Sequence, residues 1–513
     1  MAFCVFFSKQ PVVCGETAQN NVLFVLKIII NNALLLTWIV LECYPVFCGE
    51  YIKEVILKRF VSEFIDEWFV ESNRKPLILR GARQVGKTWL VRDLAARHSL
   101  NLIELNLERF PEYADHFKKN DPRRAISDLE ADLGIKICAE KSLLFLDEIQ
   151  ATPQMLASLR WFYEEMPELP VVAAGSLLEF ALQDHEFSMP VGRISYCHIE
   201  PLSFYEYLNV SGNENLHQAL IRAAESGDLS RRVHMRALDM FGEYCLVGGL
   251  PEVMAEHVAG KGIGACMKLQ RNLLASYGDD FNKYRGRVSA HSLRSSMNSV
   301  PQQLGGRFMY SNIDSDAKHK DMKKAIELLE LSRVCHRVEC TAANGLPLGA
   351  ELNAKLFKCI FVDIGLVAGM LGLSALELRE LDSVVWANKG AVAEQFVGQH
   401  LRCLSQKYEE PRLFFWQRTG GRQGEVDYII QHGSRVIPVE VKAGAAGAMK
   451  SLHMFMQLKG LGMAVRFDTN MPSFQNISVK TTTGDPVNYS LLSLPLYMVE
   501  SLPPSIELCK SWG

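Results

Sequence analysis

The segment from Gly81 to Thr88 has the residue types and the spacing that bind a phosphate chain. It reads Gly-Ala-Arg-Gln-Val-Gly-Lys-Thr and matches the pattern G-x-x-x-x-G-K-[ST]. Glycines let backbone N–H groups close around phosphate oxygens, and a helix that begins here favours an anion. Lys87 offers a charge to the β- and γ-phosphates, and the Thr88 hydroxyl is suited to Mg²⁺. The motif therefore predicts ATP and Mg²⁺ as cofactors.

A pair of acids supplies the second half of such a site. Residues 143–146 read as a buried strand that runs into Asp147 and Glu148. A carboxylate at the end of this strand can hold Mg²⁺ together with Thr88, and we assign that role to Asp147. Glu148 is expected to polarise the attacking water and is the predicted catalytic residue for hydrolysis.

Two further residues each have two interpretations. Ser176 follows an apolar run and is either a sensor of the γ-phosphate or the N-cap of the next helix. Arg193 is either an arginine finger that acts on a neighbouring subunit, which requires a homo-oligomer, or a surface arginine. The residues expected to contact the nucleotide are Gly81, Arg83, Gln84, Val85, Gly86, Lys87, Thr88, Asp147 and Ser176.

A second set of chemically active residues lies near the C-terminus. A predicted strand carries Asp427, and the next predicted strand carries Glu440 and Lys442. Gly433-Ser434 suits a two-residue type II′ turn, and counting outward from that turn pairs residue 427 with residue 440. Because side chains alternate along a strand, Lys442 shares a face with Glu440.

This arrangement is typical of a metal-dependent nuclease. Asp427 and Glu440 would hold Mg²⁺, while Lys442 would orient water or stabilise the phosphorane charge. Glu394, on a helix predicted from Gly390 to Leu404, would add an outer contact to the metal. Glu-Val-Lys alone is common, so the prediction depends on the three residues occurring together on one hairpin.

Strands and helices alternate around the phosphate motif. Short apolar runs predict strands at residues 76–80, 100–105, 143–146 and 171–174. Helices are predicted at 89–96 and 155–165, and this alternation indicates a parallel α/β sheet. From Gly192 to Tyr284 the apolar spacing is helical without a clear strand.

A helical stretch from Ser292 to Val338 leads to a predicted hairpin with Asn344-Gly345 as its turn. Helices followed by a hairpin are the outline of a winged helix. Its candidate recognition helix, Lys318 to Leu331, carries lysines that form either a solvated face or a contact surface for DNA phosphates. The basic residues of this helix are Lys318, His319, Lys320, Lys323 and Lys324.

The composition is that of an ordinary globular chain. Its 513 residues include 48% hydrophobic and 22% charged residues, enough for several domains of roughly 100–200 residues each. A net charge of -3 gives no overall basic bias, so any contact with nucleic acid must use local patches. The 13 cysteines form no C-x-x-C pair, which argues against a zinc site or a disulfide framework and favours the cytoplasm.

The first 50 residues differ from the rest of the chain. The run from Val22 to Cys48 is apolar enough to suggest a membrane helix, but it contains polar residues that are costly in hydrocarbon. These residues are Lys27, Asn31, Asn32 and Glu42. We interpret the segment as an atypical extension, so that no membrane partner is expected and the recognisable chain begins near Tyr51.

Four segments resemble one known family: Gly81 to Thr88, Leu146 to Gln150, Ala174 to Ser176, and Pro201 to Phe204. They are similar to segments of a prokaryotic AAA-type ATPase family whose members carry a C-terminal domain of unknown function. The resemblance spans roughly residues 51 to 467. It implies an αβα ATPase core, a small helical lid, a winged helix and a C-terminal domain resembling PD-(D/E)xK nucleases.

We therefore predict an α/β chain with a P-loop AAA-type sheet domain, a helical lid, a winged helix and a restriction-endonuclease-like C-terminal domain. The expected divisions are 1–50 (extension), 51–210 (ATPase core), 211–285 (lid), 286–375 (winged-helix-like region), 376–480 (nuclease-like domain) and 481–513 (tail). The expected function is an ATPase coupled to binding or cleavage of nucleic acid, with DNA favoured over RNA. The alternative is an ATP-dependent switch or scaffold whose nuclease-like domain is inert.

Overall fold

A computed structural model describes most of the chain. The described residues are 26–30, 33–37, 57–175, 178, 190–280, 288–314, 318–373, 389–418, 424–444 and 449–510. The chain divides into two compact units, Met1–Val55 and Ile56–Gly513. In the first, β1 (Leu26–Ile30) pairs antiparallel with β2 (Ala33–Thr37). Within the described ranges, no helix is both long and apolar enough to span a membrane.

A five-stranded parallel sheet carries the phosphate motif. Its strands are β3 (Leu77–Arg80), β4 (Asn101–Asn106), β5 (Ser142–Asp147), β6 (Val171–Ala174) and β7 (Ser195–His198). Their order in the sheet is β4-β5-β6-β3-β7. Because β6 alone separates β3 from β5, the phosphate motif and the acid pair meet at the same carboxyl edge of the sheet.

The helices of this region cover the sheet and close its core. They are α1 (Val61–Val70), α2 (Lys87–Arg97), α3 (Pro122–Leu133) and α4 (Met155–Glu165). Ile78 and Leu146 of the sheet pack in one buried cluster with Leu156 and Phe162 of α4. The four predicted strands are confirmed to within one residue at each end. The prediction missed β7, because Ser195-Tyr196-Cys197-His198 is short and mixes polar with apolar residues.

Helices alone follow β7 up to residue 280 in the described chain. They are α5 (Phe204–Val210), α6 (Glu214–Ser226), α7 (Arg231–Val247), α8 (Pro251–Val258) and α9 (Gly262–Asp280). α5 begins with a capping box, in which Ser203 and Glu206 each accept a hydrogen bond from the backbone of the other. Glu206 also accepts a hydrogen bond from Arg59, which contacts Val85.

An eight-stranded mixed sheet forms the C-terminal half. Its order is β14-β15-β13-β12-β11-β10-β8-β9. The strands are β8 (Cys335–Thr341), β9 (Leu352–Phe361), β10 (Leu413–Gln417), β11 (Glu425–His432), β12 (Arg435–Val441), β13 (Met463–Asp468), β14 (Ser473–Lys480) and β15 (Pro486–Pro495). The helices are α10 (Ala290–Gln302), α11 (His319–Leu331), α12 (Ile364–Leu371), α13 (Lys389–Cys403), α14 (Lys450–Lys459) and α15 (Leu502–Lys510).

This sheet crosses two of the predicted domain divisions. β8 and β9 form the predicted hairpin, but residues 342–351 connect them in place of a tight Asn344-Gly345 turn. β8 also pairs in parallel with β10, so the winged-helix-like region and the C-terminal domain share one sheet. β15, in the segment predicted to be a tail, lies between β13 and β14. The predicted domain boundaries at 375 and 480 therefore divide a single sheet. Pairing between distant strands leaves no local pattern in the sequence from which it could be predicted.

Glu500 provides a test of how the C-terminal segment packs on α5. Its carboxylate accepts a hydrogen bond of 2.8 Å from the backbone N–H of Tyr205. Burial raises the pKa of Glu500 to about 8 from an ordinary value of 4.5. The folded protein thus holds a proton that the unfolded chain releases between these values, so stability should fall as pH rises through this window.

Glu500→Gln removes the charge but keeps an acceptor oxygen for Tyr205. We expect the variant to gain thermal stability over the wild type at about pH 8.5 and to gain less at about pH 5. Melting temperatures measured at both pH values test this. Glu165→Gln, an exposed position on α4, is the control and should show no such difference. An equal offset for Glu500→Gln at both pH values would contradict the prediction.

Candidate functional site

The loop between β3 and α2 has a backbone shape that surrounds phosphate. Gly86 has φ +90° and Gln84 has φ +65°, both in the left-handed region. A Cβ atom at Gly81 would lie 2.5 Å from the carbonyl oxygen of Ile199, so the position requires glycine. α2 begins at Lys87 with Gly86 as its N-cap, which brings a helix N-terminus to the loop. The predicted residues Gly81, Arg83, Gln84, Val85, Gly86, Lys87 and Thr88 all lie in this loop and at the start of this helix.

Lys87 folds back onto its own loop. Its Nζ atom donates to the carbonyl oxygens of Gly81 at 2.9 Å and Ala82 at 2.8 Å. The ammonium charge therefore lies beside the loop, where the phosphate motif requires it.

Two side chains from outside the motif hold other carbonyl groups of the loop. The Tyr277 hydroxyl, on α9, donates to the Arg83 oxygen at 2.9 Å. Arg59, just before α1, donates from Nη1 to the Val85 oxygen at 2.9 Å. Because the carbonyl and the following N–H of a trans peptide point in opposite directions, these bonds set the direction of the loop's N–H groups. The sequence analysis missed both residues, since neither belongs to the motif.

The acid pair lies beside the loop, as predicted. The Thr88 hydroxyl donates to Asp147 Oδ2 at 3.4 Å. Burial raises the pKa of Asp147 to about 6, and the charge of Glu148 adds to the rise. A nearby cation stabilises such a carboxylate in its charged form. The donor set of hydroxyl and carboxylate, next to a loop shaped for phosphate, fits Mg²⁺ bound together with ATP.

Glu148 has an unusual backbone and a side-chain partner. Its φ of +53° is in the left-handed region, which is uncommon for a residue other than glycine and recurs at active sites. Gln150 Nε2 donates to Glu148 Oε2 at 2.5 Å. Gln150 also packs on Gly175, where a Cβ atom would lie 2.1 Å from Gln150 Oε1. Gln150, which the sequence analysis assigned no role, therefore orients the predicted catalytic carboxylate.

Of the two residues with alternative interpretations, the structure describes only Arg193. Ser176 lies outside the described residues. Arg193 precedes β7, at the amino edge of the sheet, and its Nε atom contacts Glu164 Oε1 at 2.7 Å. The Arg193 side chain is 42% exposed. Because the phosphate loop lies at the carboxyl edge, Arg193 is on the side of the sheet away from the loop of its own chain.

The C-terminal hairpin has the predicted register. His432 pairs with Arg435 and Tyr428 pairs with Val439, so the same count brings Asp427 opposite Glu440. Gly433 has φ +58°, as the first central position of a type II′ turn requires. Asp427 Oδ2 accepts a hydrogen bond from the Val441 N–H at 2.7 Å.

Further contacts bring all four predicted residues of this cluster together. Lys442 Nζ donates to Glu440 Oε1 at 2.6 Å. Glu394 approaches from α13, as predicted, and is linked to Asp427 through Lys358 of β9. Lys358 Nζ lies 3.0 Å from Glu394 Oε2 and 3.8 Å from Asp427 Oδ1, and it also contacts Glu425.

Lys358 and Glu425 were not predicted. Glu425 lies two residues before Asp427 on β11, and strand periodicity indicates that both acids share a face. Lys358 gave no local signal, because β9 reaches the cluster only through the folding of the whole sheet. Its side chain is 4% exposed.

Burial and mutual repulsion dominate the electrostatics of this cluster. They raise the pKa of Glu394 to about 8 and that of Glu440 to about 7, with the charge of Asp427 adding to burial in both cases. Burial alone would lower the pKa of Lys358, but the surrounding carboxylates raise it. Among the residues that the structure describes, no group of three or more His, Cys, Asp or Glu side chains is arranged to hold a metal ion. The ammonium groups of Lys358 and Lys442 lie among these acids.

Comparison with known proteins supports the first of the two sites. Residues 73–208 match the family model of an AAA domain. This chain contains an AAA-type ATPase domain. Residues 238–377 match a domain of unknown function (DUF8612), and residues 389–483 match another (DUF4143). No curated protein sequence matches the chain. The AAA domain accounts for ATP binding and ATPase function, and these matches assign no activity to the region after it.

Two solved structures resemble this chain at low sequence identity. The ORC2 protein of Aeropyrum pernix, in its ADPNP–ADP complexes, is 11% identical, with a TM-score of 0.27 over 61% of this chain and 91% of that chain. The RuvB Holliday junction branch migration motor of Thermotoga maritima is 14% identical, with a TM-score of 0.25 over 57% of this chain and 88% of that chain.

Two substitutions in the AAA domain test the assigned roles. Lys87→Ala should abolish or severely weaken ATP binding, because it removes the charge next to the phosphates. Glu148→Gln should retain ATP binding but lower turnover by about 100-fold or more, because glutamine has the shape of glutamate but lacks its carboxylate. Calorimetric titration with ATP and phosphate release measure the two effects.

Lys141→Ala is the matched control, since Lys141 is exposed at the opposite end of β5 from the acid pair. It should bind and hydrolyse ATP like the wild type. Unchanged hydrolysis in Glu148→Gln would remove the role assigned to that carboxylate.

Proposed function

We propose that this protein is an ATPase whose nucleotide cycle is coupled to binding or cleavage of nucleic acid, DNA in preference to RNA, by its C-terminal domain. The observation that carries the proposal is the convergence of Glu394, Asp427, Glu440 and Lys442 at one point of the eight-stranded sheet. These residues come from a helix and two strands, and they bring acids and a lysine together as phosphodiester chemistry requires.

ATP hydrolysis follows from the geometry of the AAA domain. The loop's N–H groups and Lys87 would bind the phosphates, and Thr88 with Asp147 would hold Mg²⁺, which would neutralise phosphate charge. Glu148, oriented by Gln150, accepts a hydrogen bond from the attacking water and polarises it.

Arg193 supports a homo-oligomer as part of the proposal. Arg193 lies at the amino edge of its own sheet, away from its own phosphate loop, so a role as an arginine finger requires a nucleotide held by a neighbouring subunit. In the described chain it forms an ion pair with Glu164, and that pair must open for Arg193 to contact a γ-phosphate.

In the C-terminal cluster, Glu440 is a candidate ligand for Mg²⁺ together with Asp427. Its Oε2 atom is buried and has no hydrogen-bond partner among the described residues. Burial and the charge of Asp427 raise the pKa of Glu440, and a bound cation would favour its charged form. Lys442 donates to the other oxygen and is placed to stabilise charge that develops on a phosphate.

The basic face of α11 is the candidate surface for DNA backbone contacts. Lys318, Lys320, Lys323 and Lys324 are exposed, while Met322 of the same helix is buried. Lysines of this kind bind phosphates without reading sequence, so they would position a duplex rather than select one.

A second function, an ATP-dependent scaffold with an inert nuclease-like domain, is favoured by Lys358. Its ammonium group lies among Glu394, Glu425 and Asp427, where it offsets part of their charge. Removing one partner of such a buried ion pair is strongly destabilising, so the cluster can serve as a structural element of the sheet.

Plasmid nicking distinguishes the two functions. The wild type with Mg²⁺ and ATP is expected to convert supercoiled plasmid to the nicked form, and Asp427→Asn and Lys442→Met should each abolish nicking while ATP turnover persists. Glu409→Gln, at an exposed acid of the same region, is the control and should nick like the wild type. No nicking by the wild type, with plasmid binding intact, would reject cleavage and support the scaffold.

A further inference from the structure

The guanidinium group of Arg59 is shared by three groups that lie far apart in the sequence. Nη1 donates to the Val85 oxygen at 2.9 Å, Nη2 to the Glu200 oxygen at 2.8 Å, and Nε to Glu206 Oε1 at 3.1 Å. The Arg59 side chain is 4% exposed. Its charge and donors are thus used within the protein, and one of them is used by the phosphate loop.

The Val85 carbonyl lies at the most constrained part of that loop. Gln84 and Gly86, on either side, both have left-handed backbones. The first hydrogen bond of α2 runs from Leu90 N–H to the Gly86 oxygen, so the helix itself does not hold the Val85 oxygen. Arg59 supplies that hydrogen bond, and the Gly86 N–H points the opposite way across the same peptide.

Both acidic neighbours of Arg59 are themselves held in place. Glu206 accepts from the Ser203 N–H at 2.8 Å and from the Phe60 N–H at 2.7 Å. The Glu200 carboxylate accepts two hydrogen bonds from Arg402 of α13, at 3.0 and 2.7 Å. The Arg402 side chain is 4% exposed, and a buried bidentate salt bridge of this kind is strong and directional.

Helix α13, which carries Arg402, also carries Glu394 of the acidic cluster formed with Asp427 and Glu440. Residues 394 and 402 are about 12 Å apart along a helix axis at 1.5 Å per residue. α13 therefore contacts the acidic cluster near one end and Glu200 near the other. Glu200 links this helix to the phosphate loop, because its carboxylate contacts Arg402 and its backbone carbonyl contacts Arg59, which in turn contacts Val85.

We propose that Arg59 is a positioning residue of the phosphate loop, and that Arg402 of the C-terminal domain supports it through Glu200. The proposal rests on ATP binding by the AAA domain and is independent of nucleic-acid cleavage. Arg59 does not touch the nucleotide; it orients the Val85–Gly86 peptide whose N–H faces the phosphates.

Arg59→Gln and Arg59→Lys test the first step. A charge-assisted hydrogen bond to the loop contributes enough that its loss should raise the Kd for ATP about tenfold or more in Arg59→Gln. Arg59→Lys keeps the charge and one donor, so it should recover part of that loss. KM for ATP should rise more than kcat falls, because the loop binds the phosphates in the ground state as well as in the transition state.

Arg337→Lys is the matched control. Arg337 makes a bidentate contact with Glu330 at 2.8 and 3.2 Å, away from the phosphate loop. Breaking that contact should leave the Kd for ATP unchanged. Melting temperatures show whether each variant is folded. If Arg59→Gln does not fold, the conservative Arg59→Lys decides. An ATP affinity within twofold of the wild type in a folded Arg59 variant would overturn the positioning role.

Arg402→Lys tests the second step. Lysine keeps a positive charge next to Glu200 but cannot form the bidentate contact, so the Kd for ATP should rise about threefold. The combined Arg59→Lys and Arg402→Lys variant should lose less than the product of the two single losses, because both act through one contact network. Fully multiplicative losses would overturn the link to the C-terminal domain. Unchanged ATP affinity in Lys87→Ala would instead reject the nucleotide site itself.

Discussion

A loop that binds phosphate must turn its N–H groups inward, and its carbonyl groups then need donors from elsewhere. In this chain Lys87, Tyr277 and Arg59 supply those donors from α2, from α9 and from the segment before α1. The requirement ties regions distant in sequence to one short loop. It also explains why Arg59 and Tyr277 donate hydrogen bonds to this loop although neither residue belongs to the AAA motif.

The second constraint is the burial of like charge in the C-terminal sheet. Burial and the charge of Asp427 raise the pKa of both Glu394 and Glu440, so the fold needs positive charge among these acids. Lys358 and Lys442 supply it. An acid cluster with its own ammonium groups can persist without a ligand, and it keeps one buried Glu440 oxygen available for chemistry.

α13 joins these two constraints physically. It presents Glu394 to the acidic cluster and Arg402 to Glu200, and its His400 accepts a hydrogen bond of 2.9 Å from the Phe204 N–H at the start of α5. Burial lowers the pKa of His400 to about 4, so its ring is neutral and can accept that bond. A helix held at both ends by specific polar contacts cannot shift at one end without disturbing the other.

Features that depend on neighbouring residues could be predicted from the sequence. Gly81 to Thr88 specified the phosphate loop, and the Gly433 turn specified the pairing of Asp427 with Glu440, because turn chemistry and strand periodicity act over a few residues. The roles of Arg59, Lys358 and Arg402 and the place of β15 inside the sheet became visible only in the folded chain. The site partners of these three side chains, Val85, Glu394 and Glu200, and the parallel partner of β15, β13, are more than twenty residues away, and contacts at that range depend on how whole elements pack.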